Sequence, residues 1–162
     1  MWIWLAPVLV VVVVGILVLA LYWRPLKAFG REVQLERARE LFHLQRELLQ
    51  DRFYRAAAAT GKPRGLRWKE CQWEGEVEFA RDRRSGQIAA LAPVTIRFEA
   101  VEGSDMEGLP AVDNLRNASA VFFFHRGQWQ TVGKAVFNMN PDEAIRHFQN
   151  QYERVGNTSQ SV

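Results

Sequence analysis

The chain of 162 residues has one cysteine, three histidines and no charged residue before Arg24. A single cysteine excludes a disulfide-stapled domain and any cysteine-rich zinc site built within the chain. No G-x-G-x-x-G, G-x-S-x-G or H-E-x-x-H pattern occurs, which removes the dinucleotide fingerprint, the nucleophile elbow and the zincin helix. The one stretch that approaches a phosphate loop, AAAATGKP from Ala56 to Pro63, has Ala for the first Gly and Pro for the closing Ser or Thr. It also ends a helical pattern, whereas a phosphate loop follows a strand. A surplus of positive charge is missing too. Of the 21 basic residues, Arg24, Lys27 and Arg31 stand together without an acid among them, and the remaining 18 balance 18 acidic residues. The basic pI of about 9.3 is therefore local to one short segment and gives no general nucleic-acid surface.

What is present begins with WIWLAPVLVVVVVGILVLALYW, Trp2 to Trp23. A run of about 20 apolar residues is what a helix needs to cross a hydrocarbon core. This one predicts an N-terminal transmembrane helix over residues 1–23, with Trp2, Trp4, Tyr22 and Trp23 as interfacial rings. No basic residue precedes it and bulky residues occupy the place of a cleavage site, which favours an uncleaved signal anchor over a signal peptide. Residues 24–30 form a basic juxtamembrane linker, and with Arg24, Lys27 and Arg31 on that side the remainder is expected at the cytoplasmic face of a cell (inner) membrane, the N-terminus outside. The lipid bilayer is the expected partner of this segment, together with a protein partner at the membrane. The lone Cys71 fits a reducing compartment.

Residues 31–155 are expected to form one α+β domain, followed by a flexible tail at 156–162. From Arg31 to Thr60 the apolar positions Leu35, Ala38, Phe42, Leu49, Phe53 and Ala56 recur at helical steps, with Leu41 and Leu48 beside them, and Gly61 and Pro63 close the pattern. From Leu66 the period becomes two. Cys71, Trp73, Val77 and Phe79 alternate with Glu70, Glu74, Glu76 and Glu78, giving one apolar and one acidic face with Gly75 as a bulge. A second strand follows from Ile88 to Val101, with its even-numbered residues apolar and Pro93 marking an edge or a bulge. Residues 102–117 are the long loop, and two further β-rich runs meet in a hairpin at Arg126-Gly127. Asn140-Pro141-Asp142-Glu143 then opens a short C-terminal helix. The expected fold is a long amphipathic helix packed on a curved antiparallel sheet of about four strands, with that short helix at the end.

This order of elements loosely resembles cystatin-like and NTF2-like α+β rolls. The stretches GKPRGLRW, FARDRRSG, FEAVEGSDMEG and AVFNMNPDEA resemble uncharacterised single-pass membrane proteins of planctomycete bacteria. That resemblance implies a bacterial inner-membrane setting and supplies no activity.

No residues are assigned to catalysis, to a cofactor or to a metal. His43 follows Glu40 by three and His147 follows Glu143 by four, each pair on one helix face, yet a metal site needs three or four converging ligands. Cys71 reads as a small buried hydrophobe. The acidic row reads as a solvated strand face offset by Arg97 or Lys134, although it could serve a cation or a basic partner. Trp68, Trp73, Trp129 and Phe122 to Phe124 read as core, since no surplus of Lys and Arg accompanies them on the strands. If the sheet curls around a cavity, His125 with Asp113, Glu76 and Arg97 are the pocket candidates, with His125 in an acid–base pair. The leading functional expectation is a non-enzymatic binding domain held at the membrane. The alternative is an NTF2-like pocket domain that binds or acts on a small molecule, and the oligomeric state is left open.

Overall fold

A computed structural model describes residues 5–60 and 65–155, with the side chains at 5–10, 17 and 19–29 outside that description. The chain divides into two compact units, Met1–Arg37 and Ala38–Val162.

The described residues of the first unit are helical. Helix α1, Leu5–Leu44, runs from it into the second unit, so residues 24–30, read above as a linker, are helical. Among the described residues no helix is long and apolar enough to cross a membrane. Val11 to Val14, Ile16 and Val18 are exposed. The expected transmembrane anchor, the single-pass signal-anchor assignment and the localisation at the cytoplasmic face of an inner membrane are corrected accordingly, because the basic residues have no described span to orient. Trp2 and Trp4 lie outside the described residues, as do the side chains of Tyr22, Trp23, Arg24 and Lys27, while Arg31 is exposed. The Gly61 and Pro63 stop signal and the tail from Gly156 also lie outside them.

The second unit is α+β. Helix α2, Arg46–Thr60, follows α1 after an interruption at Gln45, across which the bonds Gln45 N–H to Leu41 O and Leu49 N–H to Gln45 O keep the α-helical spacing. Ala38, Phe42, Leu49 and Phe53 of the predicted stripe are buried, but at its end Ala57 is buried in place of the half-buried Ala56, and Leu48 is exposed.

Among the described residues seven strands form one antiparallel sheet, not the four expected: β1 Leu66–Gln72, β2 Glu78–Asp82, β3 Ile88–Ala100, β4 Arg116–His125, β5 Gln128–Gln130, β6 Ala135–Phe137 and β7 Tyr152–Arg154. The predicted strand from Leu66 to Phe79 is two strands, β1 and β2, which pair end to end with the same edge of β3. Pro93 explains the break. Val121 donates outward to Lys134 O, so its β3 partner Leu91 points its own N–H away from β4. Two residues on, the nitrogen of Pro93 points the same way and has no hydrogen to offer. The link 73–77 bends away at that level, with Gly75 at φ 104° set so close to the ring that a Cβ there would lie 3.0 Å from Pro93 Cγ. On the other side of β3, β4 pairs with β5 and β6, and the hairpin at Arg126-Gly127 forms as predicted, both residues having positive φ.

One sheet face is filled by aromatic side chains under the helices. Phe42 meets Trp129 at 5.0 Å and Phe122 at 5.3 Å between ring centres, and Phe53 meets Trp73 at 5.3 Å, all near-perpendicular. The buried indole of Trp129 donates to Ala38 O at 2.8 Å. The opposite face is not simply solvated. Helix α3, Pro141–His147, begins with a complete capping box between Asn140 and Glu143, and its Ala144 and Ile145 pack with Ala80, Ala89, Leu91 and Tyr152. The sheet is thus covered on both faces at its Ile88 end.

Asp82 closes the turn between β2 and β3. Burial pushes its carboxyl up, but hydrogen bonds from Ser85, Gln151 and the Arg84 amide together hold it below the usual carboxylate range. Its contribution to stability is therefore present above the unfolded pKa of about 4 and is lost as the pH falls through the lower native value. The difference in unfolding free energy between the wild type and Asp82→Asn should shrink below pH 4, as followed by urea denaturation across a pH series. A second prediction concerns Gly133, at φ 74°, where a Cβ would lie 2.6 Å from Ala56 C and closer still to Ala57 N. Gly133→Ala should cost about 3 kcal/mol by urea denaturation, from left-handed strain plus overpacking against α2. Gly86→Ala, at φ 71° with open space around it, should cost only about 1 kcal/mol.

Candidate functional site

The four predicted pocket residues are not brought together. His125 is exposed at the end of β4, its Nδ1 2.8 Å from Gln87 Nε2, beside a shallow depression of about 240 Å³ that Phe123 and Gln130 also line. Asp113 is exposed in a 3₁₀ turn, Pro110–Asp113, beside Glu99 and Ala100. Those two places mark opposite ends of β3, about 40 Å apart at the usual rise per residue. Arg97 is exposed and lies opposite Glu70 in the register, and Glu76 is exposed in the link 73–77. An acid–base pair of His125 with Asp113 is excluded by this spacing.

The better-formed concavity lies on the sheet face that α3 leaves open, toward the middle of β3. It is a cleft of about 480 Å³, within the range typical of small-molecule sites. Its floor is Pro93 and Thr95 of β3 with Asn117 of β4. One wall is the link carrying Glu74, held out by the bend at Gly75. The other is the segment Asn138 to Asn140, which joins β6 to α3.

This second wall is fastened at each residue. Asn138 adopts φ 58°, a left-handed conformation that asparagine tolerates better than most residues, and donates its N–H to Asn117 O at 2.8 Å. The fully buried Ser119 hydroxyl donates to Met139 O at 2.9 Å. Asn140 accepts from the Glu143 N–H at 2.9 Å and returns its own N–H to Glu143 Oε2 at 3.0 Å. On the floor, Thr95 Oγ1 donates to Asn117 Oδ1 at 3.2 Å, which leaves the Asn117 amide nitrogen as a donor. The cleft is a set of hydrogen-bonding groups whose backbone is already fixed.

Glu74 and Glu143 line it, and Arg116 borders it from a strand position that, like its register partner Ile96, belongs to the helix-covered face. Among the described residues no group of three His, Cys, Asp or Glu could hold a metal ion. The thiol lies elsewhere. Cys71 lies on the apolar face of β1, half-buried, and burial followed by the neighbouring Glu70 charge pushes its thiol up to about 12.

No family model, curated protein or solved structure matches the chain.

Sequence reasoning missed this cleft for an identifiable reason. Its residues come from four separate segments, and within AVFNMNPDEA only the helix-start signal from Asn140 onward was legible. The two asparagines flanking Met139 were the available hint, since Asn is enriched where the backbone must turn left-handed. The acidic row is likewise divided by the fold. Glu74 reaches the cleft, Glu70 faces Arg97 across the strands, and Glu78 opens β2.

Cys71 should be slow to react. With iodoacetamide at pH 8, alkylation of the native chain should run slower than that of the urea-unfolded chain by on the order of a hundredfold or more, as read by mass spectrometry.

Proposed function

We propose that the α+β unit is a non-catalytic binding module whose ligand occupies the cleft between the link 73–77 and the segment 138–140. The observation that carries this reading is the fastening of Asn138, Met139 and Asn140 to β4 and α3 around a cavity of about 480 Å³. Rigid polar walls lower the ordering cost of binding, and a left-handed non-glycine residue is retained where the surroundings hold it in place. The aromatic filling of the helix-covered face speaks in the same direction. With Phe42, Phe53, Phe122 and Trp129 packed together there, the ligand's place is on the opposite side of the sheet.

Asn117→Phe tests the assignment, because an aromatic ring suits an exposed strand position and fills the cleft floor. In a saturation-transfer NMR screen of the full chain against a library of polar fragments, several should bind the wild type saturably and lose their signal in Asn117→Phe at an unchanged melting temperature. Equal binding to both proteins would overturn the reading, as would hydrolase turnover that disappears in His125→Ala.

A further inference from the structure

A second concavity lies on the same side of the sheet as the cleft but beyond α3, around the turn that Asp82 closes. It is broader and more open, with two lobes of about 760 and 240 Å³ that share Gln87 and Phe123. The register shows that its side chains start from one face. Phe123 lies opposite Ala89 of the second layer on one side and opposite Gln130 on the other, and cross-strand partners point the same way. Asp82 is two residues from Ala80, which belongs to that layer, and the Gln151 amide reaches its carboxylate. From Gln151, next to β7, across β2, β3 and β4 to Gln130 on β5 there are four strand spacings, which makes a trough about 19 Å long at right angles to the strands.

Carboxamides supply most of the trough's polar groups, and two of them are held in place. Gln151 Nε2 donates to Asp82 Oδ2 at 3.3 Å and Gln87 Nε2 donates to His125 Nδ1 at 2.8 Å, so each keeps its Oε1 and one N–H for a ligand. Asn150 in the larger lobe and Gln130 in the smaller are exposed and bring a donor and an acceptor each. The half-buried Phe123, packed against the second-layer cluster, is the aromatic ring common to both lobes. Charge is scarce. Asp82 has both carboxylate oxygens engaged, by Ser85 and by Gln151, and Arg84 stands two residues from it. Such a lining suits an uncharged ligand whose polar groups both donate and accept and which also has an apolar face. A saccharide meets these requirements, since each hydroxyl is donor and acceptor and the C–H bonds of the sugar ring are drawn to the negative face of an aromatic ring. An extended peptide does not, because it pairs with backbone groups along a strand edge and this trough crosses the strands. We propose that the trough binds a linear, uncharged oligosaccharide. One sugar ring lies on Phe123, and the hydroxyls to either side bond to Asn150 and Gln151 in one lobe and to Gln87 and Gln130 in the other. This site is separate from the cleft and stands or falls independently of it.

The test is calorimetric titration of the full chain with cellotetraose, maltotetraose, mannotetraose and tetra-N-acetylchitotetraose, with tetragalacturonate as the anionic control. At least one of the four neutral tetrasaccharides should bind saturably, and more tightly than its own monosaccharide. For that ligand Asn150→Ala and Gln130→Ala, both at exposed positions, should each weaken binding about fivefold, the usual consequence of losing one hydrogen bond. Phe123→Leu, which keeps an apolar side chain against the cluster, should weaken it by about fivefold to tenfold, and Phe123→Tyr should recover most of that loss. In nitrogen-edited NMR spectra the side-chain amide signals of Gln87 and Gln151 should move with the ligand while that of Asn117, in the cleft, stays in place. Failure of all four tetrasaccharides to bind at about 10 mM would overturn the assignment, and neutral fragments that still bind in an Asn117-dependent manner would leave the cleft reading standing. Equally tight binding of tetragalacturonate would overturn it too, as would unchanged affinity in Asn150→Ala, Gln130→Ala and Phe123→Leu or a response at Asn117 in place of Gln87 and Gln151.

Discussion

Everything in the folded unit depends on the aromatic seam between the helices and the sheet. Phe42 is held edge-on by Trp129, Phe122 and Phe79, with ring centres 5.0 to 5.8 Å away, and the Trp129 indole is tied to α1 by its bond to Ala38 O. Apolar area alone would let a helix slide over a sheet. Perpendicular rings and a buried, directional hydrogen bond do not, because each has a preferred geometry and loses energy when displaced. Phe53 continues the seam onto Trp68 and Trp73, so the same layer that fixes α1 also fixes α2 against β1 and the link after it. Gly133 completes the contact on the far side, where the segment between β5 and β6 lies against the backbone of α2 with no room for a side chain.

Fixing one face has consequences on the other. Once the even-numbered residues of β3 are committed to the seam, its odd-numbered residues are presented together to the second layer: Ala89 and Leu91 to α3, Pro93 and Thr95 to the cleft. The same proline that interrupts pairing with β1 and β2 therefore also forms the floor where the chain bends away. A local covalent property, the missing N–H, is converted into a gap in the sheet edge and then into one wall of a cavity. The other wall exists because Ser119, fully buried on that face, needs a hydrogen-bond partner and finds it in the carbonyl of Met139.

How far this was legible varied with the range of the interaction. The capping box at Asn140 and Glu143, the turn at Arg126-Gly127 and the stripe through Ala38, Phe42, Leu49 and Phe53 depend on spacings of one to four residues and could be read directly. Alternation from Leu66 to Phe79 was misread as one strand, because a period of two says which residues share a face and nothing about whether they share a partner. The pocket candidates failed for a related reason. His125, Asp113, Glu76 and Arg97 were grouped by chemistry, and the register distributes them along the full length of the sheet. The N-terminal apolar run was read by its composition as a membrane span, but among the described residues no helix is long and apolar enough to cross a membrane.

By itself, then, the sequence determined the elements and which side of each would be apolar, because local sterics, capping and hydrophobic periodicity act over a few residues. It also determined that the folded part would be formally neutral and would lack the nucleophile and metal motifs that identify common enzymes. Only the tertiary structure decided that β3 would have two partners on one edge, that α3 would cover just one end of the second face, and that Glu74, Asn117 and Asn138 would line one cleft. Those facts depend on register and on the packing of segments distant in sequence, where a single residue's slip would turn every side chain to the opposite face.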